Sequence, residues 1–517
     1  MAPRLGLLPR VCVIGAGCSG LTAVKALREV GVPHTCFEMS DRVGGNWVFG
    51  NKNGRSGAYR SLHINTSRQC MEFRDFPMPD HLPDFPHHRH VAAYFESYAR
   101  HFGLHESIRF EHEVLSCRPL AGSPPGGAGA LDAGGWAVTV RDLKTGKTQE
   151  HLFDGVLVAN GHHWDPAWPD PPPPGSFHGE VLHSHGYVDP TTPLDLRGKR
   201  VVVVGMGNSA MDIAAELCRP GVAERLFLSS RRGAWILPKY IRGKPLDQGS
   251  LFPHWLPGKL RRRLVTRGFT LLFGRMSDYG LPEPDHLLGE AHPTVSSEVP
   301  SLTGSGDIVP KPAIERLDGH EVQFTDGSRE RIDAIVYCTG YHVSFPFFAP
   351  EVLSAPGNEL PLFFRVFERR YQGLGLIGFA QPLGAIMPIA EQQARWAAAY
   401  FAGSYALPSL AEMDAAIEAE AAAIRERFVA SRRHTFQLEP AHYLPRLQRE
   451  WERGRARARR GTGRAFRFGA ASGTGTVSPT EPAPRGQPHR AGPPAAPTTG
   501  LTTALTTALT TEPSEKP

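Results

Sequence analysis

The chain has 517 residues, 41% of them hydrophobic and 21% charged, which is enough for two or three domains of a largely globular protein. Its net charge of +6 is matched by a cluster near the C-terminus, Arg453, Arg455, Arg457, Arg459, Arg460, Arg464 and Arg467, so the basic balance describes a solvated tail and gives no ground for nucleic-acid binding. No apolar run reaches the roughly 18 residues a membrane span needs, and seven scattered cysteines without a C-x-x-C exclude a zinc ribbon or a dithiol pair and suit a reducing, cytoplasmic setting.

Val11–Ile14 reads as a short buried strand, and the apolar spacing of Leu21, Val24 and Leu27 reads as a helix. Between them stands Gly15-Ala16-Gly17-Cys18-Ser19-Gly20. In that setting G-x-G-x-x-G is a dinucleotide fingerprint: Gly15 makes the turn, Gly17 admits a pyrophosphate, and Gly20 lets helix pack on strand. Cys18 and Ser19 open the helix, whose N-terminal N–H groups face the phosphates. His34–Phe37 is the next strand, and Glu38 at its end can accept hydrogen bonds from a ribose 2′-hydroxyl. Gly44, Gly45, Asn46 and Trp47 then suggest a second close backbone approach to the cofactor, with Trp47 as a wall.

His81, His87, His88 and His90 match no standard metal spacing and are broken by prolines, so a solvated loop is preferred and no metal site is expected. Val91–His101 reads as a helix, and the Gly/Pro/Ala-rich Ser123–Gly135 as a long hairpin loop. Asp154–His162 and Asp333–Tyr341 echo one another, each a buried strand ending in a polar residue and a glycine. They read as the two places where the chain crosses between domains. Pro166–Gly175 is a stiff linker leading from the first crossing into a second nucleotide-binding unit.

Val201–Val204, Gly205-Met206-Gly207-Asn208-Ser209-Ala210 and a helix through Leu217 form a second fingerprint, with Ala210 at its third small position. Here the following strand, Leu226–Leu228, ends in Ser229, Ser230, Arg231 and Arg232 instead of an acid. A carboxylate would repel a 2′-phosphate, whereas a guanidinium pairs with it, so FAD is expected at the first site and NADPH at the second, with Arg231 the favoured ligand. Pro253–Met276 mixes Leu and Phe with arginines. It could touch a membrane surface, but a helix pair covering the active site is preferred. Glu359–Gly403 returns to the first domain, Ala411–Arg433 reads as a surface helix, and the Gly/Thr/Pro/Ala/Arg end reads as disordered.

The fold class is therefore α/β: two Rossmann-like dinucleotide domains, the NADPH domain inserted into the FAD domain. The expected boundaries are 1–165 and 331–455 for the FAD domain, 166–330 for the insert and 456–517 for the tail.

Three stretches narrow the class. Phe177-His178-Gly179-Glu180-Val181-Leu182-His183-Ser184-His185-Gly186-Tyr187 fits F-x-G-x-x-x-H-x-x-x-[FY]. SLHINTSRQCMEFRDFPMPD, from Ser61 to Asp80, and Gln381-Pro382-Leu383-Gly384-Ala385-Ile386 with Gln393-Ala394-Arg395-Trp396 complete the set. Over roughly Arg10–Pro408 the chain resembles the flavin-containing monooxygenases, of the N,N-dimethylaniline-oxygenating kind. It departs from them in Ala210, where many members have Gly, and in a polar C-terminus where microsomal members carry an apolar anchor. A soluble cytoplasmic enzyme is therefore expected.

The resemblance implies a mechanism. NADPH reduces FAD, dioxygen adds at C4a to give a hydroperoxide, and a soft amine nitrogen or sulfide sulfur takes the distal oxygen; the cofactor carries the hard chemistry. It places Asn65 beside the reactive flavin carbon as the catalytic residue, and implies cofactor contacts from Thr66, Thr339 and Gln381 as well. His183 stands in a linker motif, Phe177–Tyr187, and so reads as domain-orienting rather than as an acid or base. Soluble relatives are often dimers, so a homodimer is a further expectation. A Baeyer–Villiger monooxygenase acting on ketones shares the scaffold, though its motif usually ends in Trp or Phe where Tyr187 stands. A non-catalytic flavin- or nucleotide-binding protein is the remaining alternative.

Overall fold

The computed structural model describes residues 8–120, 134–249, 258–428 and 435–468. Two five-stranded parallel sheets organise it. The first contains β1 (Val11–Ile14), β2 (His34–Phe37), β3 (Ile108–Arg109), β4 (Gly155–Val158) and β10 (Leu374–Leu376), in the order β10-β4-β1-β2-β3. The second contains β5 (Glu180–His183), β6 (Arg200–Val204), β7 (Arg225–Ser229), β8 (Ile308–Lys311) and β9 (Ala334–Tyr337), in the order β5-β9-β6-β7-β8.

Both sheets are covered on two faces, which is why their central strands are short and apolar throughout. On β1, Val11 and Val13 join the cluster under α1 (Cys18–Glu29) and the helix Met387–Phe401, while Cys12 and Ile14 meet Cys117, Trp136 and Phe153 of an antiparallel three-stranded sheet. The second sheet repeats the plan. Val201 and Val203 pack beneath α3 (Asn208–Leu217), and Val202 faces Leu317, Val322 and Phe324 of another antiparallel sheet.

The two echoing stretches supply equivalent strands: β4 lies beside β1, and β9 beside β6. Beyond them, Asp165–Pro166 and Tyr341–His342 run antiparallel as a two-stranded connection, and the Thr339 hydroxyl donates to the Ala167 carbonyl at 2.6 Å. The inserted arrangement is thus built from one outgoing and one returning segment, paired side by side.

Four expectations are revised. The histidine-rich stretch is a solvated loop only around exposed His81: His87 caps α2 (His88–His101) by accepting from Arg89 N–H at 3.3 Å, and buried His88 stacks on Phe49 at 5.2 Å. Among the described residues, the arginine-bearing part of the insert holds one helix, α4 (Gly258–Phe273), followed by a 3-10 turn at Met276–Tyr279, in place of a helix pair. Residues 250–257 lie outside the described residues.

The motif from Phe177 to Tyr187 is more than a linker, because it supplies the edge strand β5. Finally, structure continues past 456. The helix Pro440–Arg460 runs on, Arg464–Ala465 pairs with Ala406–Leu407, and Phe466 is buried. Gly454 makes this possible, since a Cβ there would stand 1.8 Å from the Tyr405 ring. Arg457, expected in a solvated tail, donates to the Ala406 carbonyl at 3.0 Å and pairs with Glu450. The region expected to be disordered beyond 468, and most of the long hairpin loop (121–133), fall outside the described residues. The strands flanking that loop do pair as a hairpin.

Candidate active site

Gly15 adopts φ +99°, and a Cβ on it would stand 2.7 Å from the Ala159 carbonyl oxygen. A Cβ on Gly20 would stand 1.8 Å from the Gly15 carbonyl oxygen, so the helix reaches the turn only because both positions lack side chains. Gly17 lies against Gly45, whose Cβ would come within 3.1 Å of the Gly17 Cα, and Gly44 N–H donates to the Ala16 carbonyl at 3.1 Å. The two glycine turns therefore form one cradle of bare backbone. Gly17 caps α1 without a side-chain hydrogen bond, and no acidic residue stands in the first turn, opened by Cys18 and Ser19. The free N–H groups and the dipole at that end suit an anionic group.

Glu38 is 5% exposed, and its carboxylate accepts from Ala16 N–H at 2.6 Å and Ser40 N–H at 2.7 Å. Burial pushes its pKa up, and those backbone donors offset part of the rise. The carboxylate thus braces the turn while keeping lone pairs for a ribose hydroxyl. Asn46, within the 3-10 turn Gly45–Trp47, accepts from Gly57 N–H at 2.9 Å; half-buried Trp47 packs against the core.

Asn65 lies in a bend, half-buried, and its side-chain amide has no hydrogen-bond partner among the described residues. Thr66 beside it is buried. Gln381 pairs by strand with the segment Gln437–Leu438, and Thr339 is exposed with its hydroxyl engaged in the connection.

The second turn repeats the geometry. Gly205 adopts φ +136° against the Cys338 carbonyl, 2.6 Å from where a Cβ would sit, and Gly207 caps α3 with no side-chain bond. Asn208 Oδ1 accepts from Val295 N–H at 2.8 Å, half-buried Ser209 follows, and Ala210 is fully buried. After β7 the two arginines diverge. Arg232 donates to Asp285 at 2.9 and 2.7 Å, whereas exposed Arg231 makes no ion pair among the described residues. Asp285 also lines a cavity of about 770 Å³, together with Trp235, Arg267, Arg275 and His286.

Sequence reading missed the contacts between the two nucleotide units. The Tyr59 hydroxyl donates to Asp212 on α3 and, within the inserted unit, the Tyr187 hydroxyl donates to Glu216 at 2.9 Å. Burial, with these carboxylates, pushes both phenols up. Asp247 of the insert accepts from Ser67 N–H at 2.6 Å, two residues from Asn65. Partners 153 and 180 residues apart leave no mark in local spacing. His183 is 3% exposed and accepts from His185 N–H at 3.1 Å; burial, aided by His185, pushes its pKa down to about 4. It is a neutral ring near pH 7.

A paired α/β scaffold with two glycine turns, each opening a helix, has the plan of a protein that binds two dinucleotides. The family model described as flavin-binding monooxygenase-like matches residues 9–452, and the chain belongs to that family. It is 39% identical to flavin-containing monooxygenase 5 of Rattus norvegicus over 442 residues, covering 83% of this chain and 80% of the relative. Identity is 35% with dimethylaniline monooxygenase [N-oxide-forming] 2 of the same organism, over 86% and 83% of the two chains.

Among solved structures, S-allyl-L-cysteine S-oxygenase from Allium sativum superposes with TM-score 0.63 at 24% identity, over 87% and 89% of the chains. The open form of a cyclohexanone monooxygenase gives 0.62 at 17%, over 88% and 98%. The chain is a flavin-containing monooxygenase with FAD and NADPH as cofactors. No helix among the described residues is long and apolar enough to cross a membrane.

Proposed function

We propose that this monooxygenase oxygenates soft nucleophiles, amine nitrogen or sulfide sulfur, with FAD held at the first glycine turn and NADPH at the second. The observation that carries the assignment of the two sites is the contrast between buried Glu38 and exposed Arg231 at the ends of corresponding strands. When bound, reduced flavin supplies the activation of dioxygen for transfer to the substrate.

The chain's own residues bind and orient. Glu38 accepts from the ribose of the first nucleotide, and the open N-termini of α1 and α3 take the pyrophosphates. Arg231 pairs with the 2′-phosphate of the second nucleotide, while Arg232 is held by Asp285. Asn65 is the catalytic residue: its amide, free of partners among the described residues, holds a proton at the flavin edge and helps exclude water. His183, neutral and buried, orients the units through β5. Seven unpaired thiols fit a cytoplasmic setting.

Substrate choice draws support from the relatives whose names record N-oxide formation and S-oxygenation. Fold likeness alone does not separate these from ketone oxidation, because a cyclohexanone monooxygenase superposes as well. Tyr187 leans toward the first reading, since the ketone-oxidising motif usually ends in Trp or Phe there; its hydroxyl is held by Glu216. NADPH consumption and products are to be followed with a tertiary amine, a sulfide and a cyclic ketone in parallel. N-oxide or sulfoxide formation stoichiometric with NADPH is expected. Ester formation alone, or peroxide alone, would overturn the reading.

A further inference from the structure

Asn65 sits on a strip of the first unit, Tyr59–Cys70, that the inserted unit grips at both ends. At one end the Tyr59 hydroxyl donates to Asp212. At the other, the 3-10 turn Leu246–Gln248 reaches across. Asp247 accepts from Ser67 N–H at 2.6 Å through its side chain and from the Cys70 thiol at 3.6 Å through its carbonyl. Gln248 Nε2 donates to Ser67 Oγ at 3.3 Å and to Gln69 Oε1 at 2.8 Å. A third tie runs through Asp84, whose carboxylate accepts from Tyr240 at 3.0 Å and whose carbonyl accepts from Arg68 N–H at 2.8 Å. Between these ties, Asn65 and Thr66 make no backbone hydrogen bond among the described residues.

We infer that Asp247 is a positioning residue: it holds the Asn65 bend in its working place while the NADPH-binding unit is seated, and so couples the nucleotide unit to the flavin edge. The inference rests on the reading of Asn65 given above. Its physical basis is a charge-assisted bond from a carboxylate to the N–H of Ser67, a residue that is fully buried. Without that acceptor the N–H loses its partner where water does not reach it, and the bend relaxes. Asp247 itself is exposed, so its replacement leaves the core packing untouched.

The test uses the full-length, FAD-loaded protein with Asp247→Ala, Asp247→Asn, Asn65→Ala and the double variant Asn65→Ala/Asp247→Ala. Hydrogen–deuterium exchange over residues 59–71 is read first, then hydrogen peroxide released per NADPH consumed, then KM for NADPH. Asp247→Ala is expected to speed exchange in that segment roughly tenfold, as the loss of one charged hydrogen bond implies, with exchange in α3 unchanged. Peroxide release rises with it and KM for NADPH stays within about twofold. Asp247→Asn, which keeps an acceptor oxygen, recovers most of the loss, and the double variant leaks no more than Asn65→Ala alone.

If Asn65→Ala leaks and Asp247→Ala neither leaks nor exchanges faster, the positioning role is overturned and the Asn65 reading stands. If Asn65→Ala does not leak, that reading fails and takes this inference with it. Faster exchange throughout the chain in Asp247→Ala would mark a general structural role and equally overturn the inference.

Discussion

Arg231 and Arg232 are neighbours of one type with different expected effects. Arg232 already donates twice to Asp285, whereas Arg231 has no ion-pair partner among the described residues. A guanidinium–phosphate bond contributes about 1.5–3 kcal/mol, so Arg231→Ala should raise KM for NADPH roughly 10- to 100-fold and narrow the preference over NADH, while Arg232→Ala changes it far less. Steady-state kinetics with both nucleotides checks this. Glu38→Ala removes the acceptor of two backbone N–H groups as well as the proposed ribose partner, and flavin content after purification should fall severalfold.

Two buried histidines give a pH prediction. His183 and His88 are both pushed down to about 4, chiefly by burial. An unfolded histidine binds its proton near 6.5, so between about 6.5 and 4 the unfolded chain carries more protons. Their stabilising share is therefore complete above about pH 6.5 and is lost as pH falls toward 4. Melting temperature should drop over that window, and His183→Gln should make the drop shallower.

Among the elements, those with a local signature were legible. The turn at Gly15–Gly20 follows from sterics that involve only its own strand, its helix and one neighbouring carbonyl, and Gly205 repeats them. The strand His34–Phe37 and the contrast of Glu38 with Arg231 could be read for the same reason. What escaped depends on distant partners. Histidine and proline spacing hid the cap by which His87 starts α2. Arginine density hid the continuation of the last helix, because Gly454 and Arg457 are explained only by Tyr405, Glu450 and Ala406. Gly454→Ala should accordingly lower the melting temperature by several degrees, since a Cβ would overlap the Tyr405 ring. A chain ending at residue 468 should melt close to the full-length protein, while one ending at 455 loses the Arg457 contacts and buried Phe466 and melts lower.

Across the whole molecule, two nucleotide units share a plan and, in the proposed assignment, differ in preference; they are joined by a paired connection and tied across by Tyr59–Asp212 and Asp247–Ser67. On the proposed assignment, the pairing lets a reductant held by one unit act on a flavin held by the other. Anaerobic titration of the purified, flavin-loaded protein with NADPH and, separately, NADH tests this most directly. The expected result is a yellow protein with about one FAD per chain, bleached by NADPH at a concentration at least roughly tenfold below that needed for NADH. A protein that takes up no flavin, or that both nucleotides bleach equally well, would contradict it.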